Sequence, residues 1–126
     1  MKCKKLLIAT VAIVDPGGHH YELNARVYYH EAGMCRAKYN HIDVFVPKSH
    51  KHIDLLQKGF YNALITKSKL ILDLSVNVKG YKLVVELNDC VFTNNNNILY
   101  LARVRRYSVG DYIKLTIRLP SNVKIS

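Results

Sequence analysis

The sequence predicts a mainly β domain with one short helix. Two observations carry this. Apolar residues alternate with polar ones over several stretches of five to ten residues, and turn-forming clusters separate those stretches. A third observation concerns partners: 19 Lys and Arg stand against 9 Asp and Glu, a formal charge of +10 on 126 residues. Such an excess attracts polyanions and is costly to keep through self-repulsion.

The length fits a single domain, residues 1–126, able to bury a core of its own. The apolar runs, Leu6 to Val14 among them, fall short of the roughly 20 residues of a membrane helix, so no membrane partner is expected. Met1 to Lys5 followed by Leu6 to Ala9 has the outline of a signal peptide. The run continues through Val14 into Asp15-Pro16-Gly17-Gly18, however, as a first strand would. Cys3, Cys35 and Cys90 are widely spaced and form no pair motif, which suggests neither a disulfide framework nor a CxxC metal site and favours a reducing, cytoplasmic compartment.

In chain order, Lys5 to Val14 is the first strand, nearly continuously apolar. From His20 to Glu31, Tyr21, Leu23, Ala25, Val27 and Tyr29 form a core side, and Glu22, Asn24, Arg26, Tyr28 and His30 an outer one. Ala32-Gly33-Met34 leads to a third strand, Arg36 to Val46, with Ile42, Val44 and Val46 inward and Tyr39, His41 and Phe45 outward. Pro47 ends it. Ser49 can cap a helix in which Ile53, Leu56 and Phe60 recur at helical spacing, with Gly59 as its stop. Leu70, Leu72, Leu74 and Val76 then form a hairpin with Tyr81, Leu83, Val85 and Leu87, turned at Asn77 to Gly80. Asn94 to Asn97 is a loop.

The last part, residues 98–119, reads as an added or barrel-completing hairpin turned at Ser108 to Asp111. Ile113, Leu115, Ile117 and Leu119 face inward, and Tyr112, Lys114, Thr116 and Arg118 outward. In its first strand Leu99 and Leu101 share a side with Arg103, Arg105 and Tyr107, so that strand leaves its core role halfway.

Five or six strands with a short helix after the third resemble an OB-fold, a Greek-key barrel that binds oligonucleotides, with a β-sandwich as the alternative. Within that class, Ile42 to Lys48, Leu55-Leu56-Gln57-Lys58-Gly59, Lys69 to Val76 and Tyr81 to Phe92 resemble bacterial and phage single-stranded DNA-binding proteins. The resemblance spans Lys5 to Thr93. It implies a partner, single-stranded DNA or RNA, bound with little sequence choice. Three departures stand out: there is no tryptophan, Phe60 to Thr66 lengthens the gap after the helix, and the chain ends without the family's acidic tail.

The residues that supply this chemistry are Arg26, Tyr28, Tyr39, His41, Phe45, Arg103, Arg105, Tyr112, Lys114 and Arg118, a basic and aromatic face on which phosphates and bases can lie. The bland alternative is that these aromatics cover another element and the cations are merely solvated. Multivalency and an edge strand in the last hairpin favour a homo-oligomer. Six histidines fall in no metal motif, so neither a metal nor another cofactor is expected. The expected reading is a binding protein and not an enzyme. Among activities a metal-dependent nuclease is the least remote, through Asp43, Asp73 and Glu86, and Cys35 or Cys90 is a conceivable nucleophile. The rival function is that of a viral or mobile-element accessory protein whose basic face meets another protein.

Overall fold

A computed structural model describes residues 3–15, 17–56, 69–74, 82–86, 91–93, 99–101, 104–119 and 125, with 82–86, 91–93, 99–101 and 104 given by their backbone. The chain is mainly β. Its strands are β1 (Lys5–Leu7), β2 (Thr10–Val14), β3 (His20–Leu23), β4 (Arg26–His30), β5 (His41–Pro47), β6 (Lys69–Asp73), β7 (Lys82–Glu86), β8 (Val91–Thr93), β9 (Leu99–Leu101), β10 (Val104–Val109) and β11 (Tyr112–Arg118). A five-stranded antiparallel sheet runs in the order β1-β4-β5-β11-β10, and a six-stranded one in the order β3-β2-β6-β7-β8-β9. Each sheet keeps two edge strands, so the described residues form no closed barrel.

The first two expected strands are each a single extended run that changes sheet. β1 and β2 are separated by Ile8 and Ala9, and β3 and β4 by Asn24 and Ala25. The pairings Leu7↔Val27 and Val11↔Leu23 keep one register across the gap, so the whole is one long hairpin bent at its middle. Strands that bend in this way carry the chain around the corner between two packed sheets. Residues 102 and 103 lie between β9 and β10, which also belong to different sheets, and this is where the sequence pattern loses its core side.

Side chains from both sheets meet in one core. Val11, Ile13, Leu23, Leu70 and Leu72 come from the six-stranded sheet; Leu7, Val27, Tyr29, Ile42, Val44, Val46, Ile113, Leu115 and Ile117 come from the five-stranded one. Period-2 alternation places these residues inward and leaves their neighbours outward. β11 is an interior strand of its sheet, with β5 on one side and the edge strand β10 on the other, and its turn to β10 is the two residues Gly110 and Asp111. Gly110 has φ of +55°, a backbone shape that favours glycine.

Two sequence expectations need correcting. The third strand begins at His41, because Cys35 (φ +47°) and Arg36 (φ +68°) are left-handed and fold residues 33–37 into turns, with the Gly33 amide donating to the Ala37 carbonyl at 2.8 Å. Pro47, where the sequence expects this strand to stop, is the last residue of β5, as suits a residue without an amide proton at a strand terminus. Cys3 and Cys35 are joined in a disulfide, their Cα atoms 5.3 Å apart. The same turn carries Cys35 to Cys3, just ahead of β1, which the spacing of the cysteines does not reveal.

Helical backbone covers 53–56, beginning later than a cap at Ser49 implies, after turns in which the Ile53 amide donates to the His50 carbonyl. Leu56 is fully buried, and Ile53 and Leu55 pack against the core. Gly59, Phe60, the Asn77 to Gly80 turn, Val76, Tyr81, Leu87, Cys90 and the Asn94 to Asn97 loop lie outside the described residues. No helix among the described residues is long and apolar enough to cross a membrane.

Candidate functional site

The outer face of the five-stranded sheet is where the candidate residues converge. Strand alternation puts every second residue there, and register aligns them in rows across the strands. One row runs Leu6, Tyr28, Asp43, Thr116, Arg105. The next runs Arg26, Phe45, Lys114, Tyr107, and a third His30, His41, Arg118. With strands about 4.8 Å apart, five of them present a surface about 19 Å wide.

Aromatics on this face touch edge to face. Tyr28 and Phe45 have ring centroids 5.8 Å apart at 85°, and Phe45 and Tyr112 lie 6.2 Å apart at 84°. Cations cover other rings: the Lys4 ammonium lies 4.4 Å from the Tyr28 centroid, the Lys114 ammonium 5.0 Å from Tyr107, and the Arg118 guanidinium 4.0 Å from Tyr39. Each such contact holds a charge over a π-face while leaving its other donors to solvent or ligand. Tyr39, Arg105, Tyr107, Thr116 and Arg118 line a depression of about 150 Å³ on the face. Tyr39 reaches it from the turn ahead of β5, as an exposed ring held by Arg118 and not as a strand residue.

One acid lies within this basic surface. Asp43 is 7% exposed, the buried charged residue among the described residues. Its Oδ1 accepts a hydrogen bond from the Thr116 hydroxyl at 2.7 Å, and its Oδ2 lies 2.9 Å from His30 Nε2 and 3.8 Å from His41 Nε2. These partners offset the cost of removing the carboxylate from water. The two imidazoles stack, centroids 4.4 Å apart and nearly parallel at 7°. His41 Nδ1 is 3.0 Å from the Tyr39 carbonyl, which can only accept, so Nδ1 carries a proton and the neutral ring keeps its lone pair at Nε2. Burial pushes the His30 pKa below its ordinary value, with Asp43 pulling the other way and His41 and Lys4 adding to the depression.

The structure brings Arg26, Tyr28, Tyr39, His41, Phe45, Arg105, Tyr112, Lys114 and Arg118 to this one face; Arg103 lies outside the described residues. The sequence choice omitted Tyr107, although it shares the parity of Arg105. It also omitted Lys4, whose place over Tyr28 depends on the non-local pairing of β1 with β4. The acids proposed for nuclease chemistry are not brought together: Asp43 is in one sheet, and Asp73 and Glu86 stand at opposite ends of the β6–β7 ladder in the other. Cys35, considered as a nucleophile, is held in the disulfide. Where the sequence predicted no metal ligands, His30, His41 and Asp43 place a ligand atom each within 4.8 Å of one another. Comparison with known proteins finds no family model, no curated protein and no solved structure that matches this chain.

Proposed function

We propose that this chain binds single-stranded nucleic acid, DNA in the first instance, with little sequence preference, across the outer face of the five-stranded sheet. The observation that carries the reading is the row Arg26, Phe45, Lys114, Tyr107, in which cations and rings alternate across neighbouring strands. Phosphates need the positive charge, and unpaired bases need flat partners, each stack contributing about 1 to 3 kcal/mol. Rings and flexible cations read no base edge, hence the weak sequence preference. The binding mode is that of an OB-like sheet face, and it requires the face without requiring a closed barrel. Oligomerisation through the edge strand β10 belongs to the same proposal, and light scattering that finds a strict monomer removes that part.

The test is anisotropy of a labelled oligothymidine with an equally charged duplex as competitor, at low and high salt. Preference for the single strand that persists at high salt, and weakens in Phe45→Leu, Tyr28→Leu and Tyr112→Leu, supports the reading. Equal binding of both that vanishes with salt refutes it.

A second reading has its own observation. Leu6 is 60% and Ile8 68% exposed at the β1 edge, and Val109 and Tyr112 are exposed at the far end of the sheet. An acidic protein that covers both apolar rims and the basic centre fits that surface. Cytoplasmic action, inferred from cysteines read as unpaired, loses that support with the Cys3–Cys35 disulfide, since such bonds persist in oxidising settings that include virion and cell surfaces.

A further inference from the structure

The row that carries His30 and His41 contains a second kind of chemistry. His30 and His41 are direct cross-strand partners on β4 and β5, and Asp43 follows His41 by two residues, so all three side chains emerge on the same face. Two imidazoles and one carboxylate are a donor set that suits first-row divalent ions, zinc above all.

We propose that His30 Nε2, His41 Nε2 and Asp43 Oδ2 form a binding site for a divalent transition-metal ion of the zinc class. The distances are close to those required. Zinc–ligand bonds of about 2.0 to 2.2 Å in a tetrahedral site set ligand atoms roughly 3.3 to 3.5 Å apart. Asp43 Oδ2 stands 2.9 Å from one Nε2 and 3.8 Å from the other, and the three atoms lie within 4.8 Å of one another. The rings are stacked at 7°, so they must tilt toward one another for both in-plane Nε2 lone pairs to meet one ion.

Two supports around the ligands match the outer shell of metal sites. The Tyr39 carbonyl accepts the His41 Nδ1 proton, which fixes the ring with its Nε2 lone pair on the Asp43 side. The Thr116 hydroxyl donates to Asp43 Oδ1 and leaves Oδ2 for the ion. On binding, the His30 ring moves its proton from Nε2 to Nδ1, and the ion takes the position of that proton between ring and carboxylate. The side chains of His30 and His41 are 21% and 18% exposed, so an ion enters from solvent and keeps a fourth position for water or another oxygen ligand.

The inference does not rest on nucleic-acid binding, and its test uses none. Chelator-treated full-length protein is titrated with Co²⁺ and read by the visible absorption of four-coordinate cobalt, then back-titrated with Zn²⁺. One saturable equivalent, displaced by zinc, is expected. His41→Gln and Asp43→Asn abolish it, while Thr116→Val, which leaves every ligand in place, weakens it by about 10- to 100-fold. Circular dichroism and thermal melting identify any variant that has not folded, and Thr116→Val retains the test if both ligand variants fail. Absence of saturable binding overturns the proposal. So does binding unchanged in folded His41→Gln, or binding lost in His52→Gln, which would place the ion at the His50–His52 pair.

Discussion

Neutralising two cations of the sheet face should change how binding responds to salt by a calculable amount. Lys4, Arg26, Arg105, Lys114 and Arg118 line the face, and Arg26, Arg105 and Arg118 are exposed strand residues. For single strands the slope of log K against log salt is about −0.7 per phosphate neutralised, so five contacts give about −3.5 and a loss of about 130-fold between 50 and 200 mM salt. In the double variant Lys114→Gln, Arg118→Gln the slope falls to about −2.1 and the loss to about 20-fold. Lys51 is exposed in the turns ahead of the helical segment, off this face, so Lys51→Gln serves as the control. The assay is anisotropy of labelled oligothymidine over a salt series. A wild-type slope in the double variant, or a Lys51→Gln change as large as each face substitution, would mean that the net charge of +10 acts as a whole and that this face has no special part.

Other expectations are independent of the ligand. Leu115→Ala removes a fully buried side chain from an interior strand of the five-stranded sheet and should cost about 2 to 5 kcal/mol in urea unfolding; a cost under about 1 kcal/mol would mean that the core is not packed as described. Reducing the Cys3–Cys35 disulfide opens a link of sequence separation 32 and should lower stability by about 3 to 4 kcal/mol if loop entropy governs, as a urea midpoint with and without reductant will tell. The Asn24 and His52 amides lie 3.0 Å from His50 Nε2 and Nδ1 respectively, a neutral imidazole accepts at one nitrogen only, and burial followed by His52 and Lys51 lowers the His50 pKa below 6.5. The unfolded chain therefore takes up a proton that the folded chain refuses. Stability is full above pH 6.5 and declines as pH falls below it, with His30 contributing in the same direction. His50→Gln should reduce that decline, measured with chelator present, and an unchanged pH profile would remove His50 as a cause.

The parity of the strands was legible in the sequence, but their allocation to sheets was not. Ile42, Val44 and Val46, or Ile113, Leu115 and Ile117, declare a buried side because the period of two is a property of one strand alone. The bends at Ile8-Ala9 and Asn24-Ala25 leave that period intact, so one run read as one strand where the chain serves two sheets. The start of β5 was missed for a different reason: the left-handed backbone of Cys35 and Arg36 is held within a turn tied by the disulfide, and neither residue advertises it. Most of the face was legible because outward parity and residue type suffice to nominate it. Asp43 was not, since an acid on an outward position ordinarily signals solvent. Only the register across β4, β5 and β11 shows it enclosed by His30, His41 and Thr116.

That enclosure matters for how the face works. An unpartnered carboxylate in the middle of a basic surface would repel phosphates, whereas here one oxygen is engaged by the Thr116 hydroxyl and the other by the His30 ring. Asp43 lies against both imidazoles, and the expectation to test is that it does so without cancelling the field of Arg105, Lys114 and Arg118. Asp43→Asn separates these roles: it keeps the shape and an acceptor for the Thr116 hydroxyl but removes the charge facing His30. If Asp43 is electrostatically sequestered, the variant binds oligothymidine with nearly unchanged affinity and salt slope in the presence of chelator. A large gain in affinity would show that the carboxylate is felt by the phosphates, and the polyanion path would then have to cross the row that carries it.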